Sequence, residues 1–112
     1  MARTNTMKNV LATAYGADIA KVSLHSADPG STGANEINGG SPAYVRVAPP
    51  SITAPTTGLI SFQVTFNVPA GATVAGVGLW DSANNFLDGG TVTAQSFSSQ
   101  GVYTATVQYQ QN

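Results

Sequence analysis

The stretch ISFQVTF at residues 60–66 decides the fold of this chain, because its apolar and polar residues alternate without a break. Side chains along a β-strand point alternately to the two faces of a sheet, so this pattern predicts a strand with one buried face. Residues 20–25 and 102–110 alternate in the same way, and turn-forming residues separate most of the apolar segments. The repeated pattern favours an antiparallel, mainly β domain.

Six to seven short strands at this spacing predict an antiparallel β-sandwich or barrel-like domain with one short N-terminal helix. The chain of 112 residues fits a single domain, with residues 1–17 as a helical arm and residues 18–112 as the β-sandwich. A break in the alternation predicts a bulge at Gly76. The predicted strands are 20–25, 44–47, 60–66, 74–80, 86–87, 91–97 and 102–110.

One helix is predicted over residues 6–15. Thr4 or Thr6 can cap its start, and Gly16 occupies a position at which glycine commonly ends a helix. Because three turns alone are marginal in water, this helix needs its own sheet or a neighbouring subunit to lie on. Its apolar stripe has the spacing of an amphipathic helix and consists of Met7, Val10, Leu11, Ala14 and Tyr15.

Charge is scarce along the whole chain. Only 8% of the residues are charged and the net charge is −1, whereas an average soluble domain has about 25% charged residues. Because interface cores are depleted of charge, this composition predicts a protein that packs against partners, including copies of itself. The four cationic residues are scattered, so nucleic acid is not an expected partner.

Membrane insertion and secretion are not expected either. No apolar run approaches the roughly 20 residues that span a bilayer. Arg3 and Lys8, followed by the apolar stretch 10–17, resemble a signal peptide. This stretch is short, however, and is interrupted by Thr13, Tyr15 and Gly16. The chain has no cysteine, which excludes a disulfide framework and suits assembly in a reducing cytoplasm.

Catalytic chemistry is poorly supplied, so we expect no enzyme, no cofactor and no metal site. A Ser-His-Asp site would need His25, the only histidine, and no G-x-S-x-G motif is present. Asp81 and Asp88 could form a glycosidase-like pair, and together with Asp28 they could bind calcium. All three lie in predicted turns, where aspartate commonly accepts hydrogen bonds from backbone amides.

The aromatic residues allow two interpretations. Trp80, the only tryptophan, is either an exposed platform for stacking a sugar or a core or interface residue. Gly76 and Gly78 on the same predicted strand favour the second interpretation, because they let a large ring pack closely. Tyr103 and Tyr109 share one strand face and are either interface anchors or core residues.

Two segments together resemble a family of small structural proteins of actinobacterial phages, known as head-decoration, minor capsid or tail-fibre-like proteins. The first segment is SLHSADPGSTGANE at residues 23–36, and the second is VGLWD at 77–81 followed by FLDGG at 86–90. The resemblance implies a virion component with a mostly β fold and no enzymatic activity. It also implies a virion location, with assembly in the host cytoplasm.

The resemblance leaves the location in the head or the tail open. The small size of the domain, the scarcity of charge and the N-terminal helix favour a capsid decoration or minor capsid protein, which binds the head exterior and reinforces it. Its partners would be the major capsid protein or other virion proteins, and a homo-oligomer, for example a trimer, is expected. The alternative is a tail-fibre or minor tail protein that binds host glycan. The residues expected at partner interfaces lie on the helix, in the long loop 26–41 and on two strands. They are Met7, Val10, Leu11, Tyr15, Asp28, Pro29, Asn35, Glu36, Trp80, Tyr103 and Tyr109.

Overall fold

The computed structural model describes residues 4–50, 52 and 57–110. The described residues form one helix and five strands, so the chain is mainly β, as its alternation predicts. No helix among them is long and apolar enough to cross a membrane. The elements are α1 (Asn5–Asp18), β1 (Lys21–His25), β2 (Leu59–Val68), β3 (Thr73–Trp80), β4 (Phe86–Ser96) and β5 (Gly101–Gln110).

The five strands form two antiparallel sheets rather than a closed barrel. One sheet has the order β1-β3-β4, and the other pairs β2 with β5. Both sheets contribute to a single hydrophobic core cluster, in which Val22 and Leu79 come from the first sheet and Phe66 and Ala105 from the second. The predicted count of six to seven strands is not confirmed in the part of the chain that the structure describes.

The strand that decides the fold behaves as its sequence predicts. Buried and more exposed residues alternate along β2, and its buried members Phe62, Val64 and Phe66 face the shared core. Ten residue pairs join β2 to β5, from Leu59 with Gln110 to Val68 with Gly101, without a shift of register. An uninterrupted register is expected where one face is buried, because a slip by one residue would expose every core side chain.

Two predicted strand assignments are wrong. Residues 44–47 form only an isolated bridge to β1, between Val47 and Val22, because the Tyr44 hydroxyl takes the Leu24 amide that a ladder would have used. The predicted separate strands 86–87 and 91–97 form one strand, β4, since the glycines at residues 89 and 90 stay extended and pair with β3. The predicted irregularity near Gly76 is confirmed by a register shift between β3 and β4.

The helix begins one residue earlier than predicted and ends later. Thr4 is the N-cap, and its Oγ1 accepts a hydrogen bond of 3.2 Å from the Met7 amide. The predicted end at Gly16 is wrong, because α1 continues to Asp18. Gly16 is buried inside the helix, where an added Cβ would lie 3.3 Å from Ile60 Cδ1, so it serves close packing on β2.

Truncation of one core residue tests the shared core. Phe66 is 1% exposed, so Phe66→Ala is expected to lower the free energy of unfolding by about 3–5 kcal/mol in chemical denaturation. The neighbouring Asn67 is exposed on the opposite face, and Asn67→Ala should change this free energy by no more than about 0.5 kcal/mol. Equal losses in the two variants would contradict the assignment of faces.

Candidate functional site

The two segments that carry the family resemblance meet at β1 and β3. Ser23 lies opposite Gly78, and His25 lies opposite Gly76. Val77 and Leu79 belong to the core cluster, whereas Gly76 and Gly78 lie against loop and β1 atoms. The residues joined here are termed the Ser23 cluster: Ser23, His25, Glu36, Tyr44, Arg46 and Trp80.

A chain of three hydrogen bonds runs through the centre of the Ser23 cluster. Trp80 Nε1 donates to Ser23 Oγ at 2.8 Å. Ser23 Oγ lies 2.6 Å from His25 Nε2, and His25 Nδ1 lies 2.7 Å from the Ala34 carbonyl oxygen. A carbonyl can only accept, so Nδ1 carries the proton and Nε2 accepts from the serine hydroxyl. These bonds assign one tautomer to a neutral His25 and one direction to each bond.

Burial makes this hydrogen-bonded chain a closed unit. Ser23 and His25 are both 0% exposed. Among the described residues, every buried side-chain nitrogen and oxygen has a hydrogen-bond partner. A serine beside a histidine is the residue pair of a nucleophile and its general base. The Ser23 hydroxyl is buried, however, and is not accessible to a substrate. The arrangement fits a structural role, since fully satisfied buried polar networks rigidify a fold.

An ion pair covers the tryptophan from outside. The Arg46 guanidinium carbon lies 3.6 Å from the centroid of the Trp80 ring, a cation–π contact. Arg46 donates to both carboxylate oxygens of Glu36, at 2.8 Å from its Nη2 to Oε1 and 2.9 Å from its Nε to Oε2. Tyr44 donates to Glu36 Oε2 at 2.9 Å and accepts from the Leu24 amide at 2.9 Å. The loop, residues 44–46 and β1 are therefore joined at one place.

Electrostatics in the Ser23 cluster follow from burial and from these partners. Burial lowers the pKa of His25 below its ordinary 6.5, although the hydrogen bond to Ala34 and the nearby Glu36 act in the opposite direction. Burial raises the pKa of Glu36, but the hydrogen bonds from Arg46 and Tyr44 outweigh it, and the net pKa lies below its usual value. Near neutral pH the cluster therefore holds a neutral imidazole beside a closed ion pair.

Glycines make this packing possible. A Cβ added at Gly78 would lie 2.6 Å from Ser23 Oγ and 2.7 Å from His25 Nε2. Gly33 has a φ of +75°, and its added Cβ would lie 2.6 Å from Trp80 Cη2. The Trp80 ring, 8% exposed, therefore lies under the loop at Gly33, and β3 approaches the serine and histidine at Gly78. The interpretation of Trp80 as a packed aromatic agrees with this position.

The residues predicted at partner interfaces fall into several places. On α1, Met7 and Val10 are 49% and 57% exposed, whereas Leu11 is half-buried. Tyr15 is used within the chain: its ring stacks on Tyr109 with centroids 3.6 Å apart, and its hydroxyl donates to an Asp88 oxygen at 2.7 Å. Burial is the main cause that raises the pKa of the Tyr15 hydroxyl, and the hydrogen bond to Asp88 raises it further.

The remaining predicted residues lie in the loop and on two strands. In the loop, Pro29 is buried, and Asp28 Oδ1 accepts a hydrogen bond from the Gly30 amide. Asn35 is exposed at a positive φ of 66°. Glu36 and Trp80 belong to the Ser23 cluster. Tyr103, on β5, is half-buried against the shared core.

The structure does not gather the acidic residues into a metal site. No group of three or more His, Asp or Glu residues close enough to hold a metal ion occurs in the described ranges. Asp81 accepts from the Ala83 and Asn85 amides, which is the turn role that its sequence context predicts. Hydrogen bonds from Asn85 lower the pKa of Asp81, and the bond from the Asn85 backbone amide has a larger effect than the bond from its side chain. Asp88 accepts from Tyr15 and from the Gly89 amide.

Sequence reasoning missed Ser23, Tyr44 and Arg46 as members of the cluster. Ser23 and His25 were expected on the outward face of a half-buried strand, but four of the five residues of β1 are buried because the loop covers its second face. The available signal was the length of the loop, since a long ordered loop needs a surface to pack on. His25 instead anchors the loop, because its Nδ1 lies 2.7 Å from the Ala34 carbonyl oxygen.

Comparisons with known proteins found no match to this chain among family models, curated proteins or solved structures.

A single methyl group tests the close approach at Gly78. Gly78→Ala is expected to lower the free energy of unfolding by about 1–3 kcal/mol through overpacking against Ser23 and His25. Gly90 is its matched control on the neighbouring strand, because nothing lies within 4 Å of its added Cβ. Gly90→Ala should cause no loss, or a gain of up to about 1 kcal/mol from reduced chain entropy. A Gly78→Ala variant as stable as the wild type would contradict the packing.

The lowered pKa of His25 predicts a pH dependence of stability. The unfolded chain binds a proton near pH 6.5, whereas the folded chain binds it only at lower pH. The stability contributed by neutral His25 is therefore complete above pH 6.5 and is lost as the pH falls through the folded pKa. Between pH 6.5 and roughly 5, above the carboxylate range, urea denaturation should show falling stability. His25→Asn should flatten this slope, and identical slopes would contradict a buried neutral imidazole.

Proposed function

We propose that this chain is a non-enzymatic structural protein of a bacteriophage virion, a capsid decoration or minor capsid protein that binds the head exterior and reinforces it by packing. The observation that carries the proposal is the Ser23 cluster. The two segments that resemble the phage family contact each other there and use their polar groups to hold a long loop on a sheet. The residues of these segments in the Ser23 cluster therefore stabilise the fold.

The fate of the reactive side chains supports a non-enzymatic role. His25 and Ser23 are buried and bonded to each other. Glu36 is paired with Arg46, and Asp81 serves its own turn. A catalytic centre needs such groups to converge on an accessible site where a substrate can bind. The polar groups named here are instead satisfied within the fold.

The outer surface supports packing against protein partners. Apolar side chains are exposed at several separate places, among them Val10 at 57% on α1, Val45 at 61% beside the Ser23 cluster and Val102 at 60% on β5. The charge that normally keeps soluble monomers apart is scarce. This surface suits contacts with the major capsid protein, other virion proteins and further copies of the chain.

We also infer that the two sheets, which share one core cluster, form a small sandwich. The role of a tail protein that binds host glycan has less support. Trp80 is 8% exposed, and one face of its ring is covered by Arg46, so it offers no open platform for a sugar.

Quantification of the chain in purified particles tests the proposal. Phage particles from bacteria that carry this sequence would be purified on a density gradient, and the chain would be quantified by mass spectrometry against labelled peptides. A decoration protein is expected in numbers comparable to the major capsid protein. A few copies per particle would contradict the decoration role and favour a minor tail protein. Absence from intact particles, with the chain present in the lysate, would contradict a virion protein altogether.

A further inference from the structure

The two sheets treat their edges differently. The outer edge of β1 is covered by chain: Val47 bridges to Val22, Glu36 bridges to His25, and the Tyr44 hydroxyl takes the Leu24 amide. Strand β5 pairs with β2 on one side, and no described strand pairs with its other side. An uncovered strand edge presents backbone groups that can pair with another chain. The β5 edge is therefore a place where a partner strand can add.

Strand β5 also lacks the features by which natural proteins protect such an edge. Monomeric proteins place charges, prolines or bulges on exposed edges, or keep them short. Strand β5 has ten residues, whereas strands commonly have about 5–6, and it contains no charge and no proline. It is in register with β2 over its full length. Strand β4 differs, because it has two register shifts and carries Asp88.

An open groove lies between β4 and β5. It has a volume of about 470 Å³ and runs between residues 92–95 and 103–106. Val102, at the start of β5, is 60% exposed. Solvent therefore reaches the region that a partner strand would occupy.

We propose that β5 pairs in antiparallel orientation with β5 of a second copy. This pairing joins the β2-β5 sheet of one copy to the β2-β5 sheet of the other and forms one four-stranded sheet. This inference rests on the proposed function, because it names the contact through which the structural protein assembles with itself. The absence of charge on β5 favours a second β5 as the partner strand. Two uncharged strands of the same sequence place no like charges opposite each other, whereas a charged partner strand would gain no ion pair from β5.

The alternation of β5 makes this pairing self-complementary. With the two-fold axis at Ala105, Tyr103 lies opposite Val107 of the second copy, and Thr104 lies opposite Thr106 of the second copy. Directly opposed residues of antiparallel strands point to the same face. Apolar residues therefore continue the core-facing side of the sheet across the contact, and threonines continue its outer side. Such an isologous contact closes on itself and yields a dimer rather than a fibre.

Charged variants of β5 test the proposal in sedimentation velocity. Val102 and Gln108 oppose each other across the proposed axis, so Val102→Lys with Gln108→Lys places lysines opposite each other in the dimer. The matched control puts the same charges on exposed positions of the turn between β3 and β4, Ser82→Lys with Ala83→Lys. The wild type and the control are expected at twice the monomer mass, whereas the β5 variant should dissociate about tenfold or more readily. Circular dichroism would check that each variant is folded.

Hydrogen exchange on the wild type gives a readout that needs no variant. Amides of residues 101–108 are expected to exchange more slowly as the protein concentration rises. A wild type that is monomeric at every concentration would overturn the pairing. An oligomer unaffected by the β5 lysines would also overturn it, but would leave self-assembly in the virion standing. The particle measurement decides the proposed function separately, because it asks only whether the chain is present and in what number.

Discussion

The Ser23 hydroxyl lies between Trp80 Nε1 and His25 Nε2, and the packing of one whole side of the molecule depends on this position. The His25 imidazole also forms a hydrogen bond with the Ala34 carbonyl oxygen in the loop. Three short hydrogen bonds therefore join β3 and β1 to this loop. An unpaired buried partner would cost about 1–3 kcal/mol. Only glycine fits at two positions around these bonds, because an added Cβ would collide with Ser23 at Gly78 and with the Trp80 indole at Gly33.

This loop determines which surfaces stay open. It covers one face of β1 and helps to close its edge, and the Arg46–Glu36 ion pair covers Trp80 from outside. Helix α1 packs on β2, and the Tyr15 hydroxyl reaches Asp88 on β4. The uncharged strand β5 pairs with β2, and no described strand pairs with its other side. The polar side chains of Ser23, His25 and Trp80 are thus used in contacts within the fold.

The sequence predicted the features that depend on local order. The alternation at residues 60–66 and the irregularity at Gly76 need only neighbouring residues for their explanation, and the structure agrees with them. Of the two caps that the sequence allowed, Thr4 and Thr6, the structure uses Thr4. The features that it did not predict depend on contacts distant in the chain. Ser23 looked outward-facing because nothing local indicates that a loop returns to cover it. Residues 44–47 looked like a strand, but a side chain from this segment takes the hydrogen bond of the ladder.

His25 is a buried, neutral imidazole that connects β1 to the loop. Nitrogen-15 NMR of the imidazole tests this claim directly, because the two ring nitrogens report the tautomer and the protonation state separately. We expect a neutral ring with the proton on Nδ1, donating to Ala34, and no protonation near pH 6.5 while the chain remains folded. A proton on Nε2, or an ordinary titration near pH 6.5 in the folded protein, would contradict it.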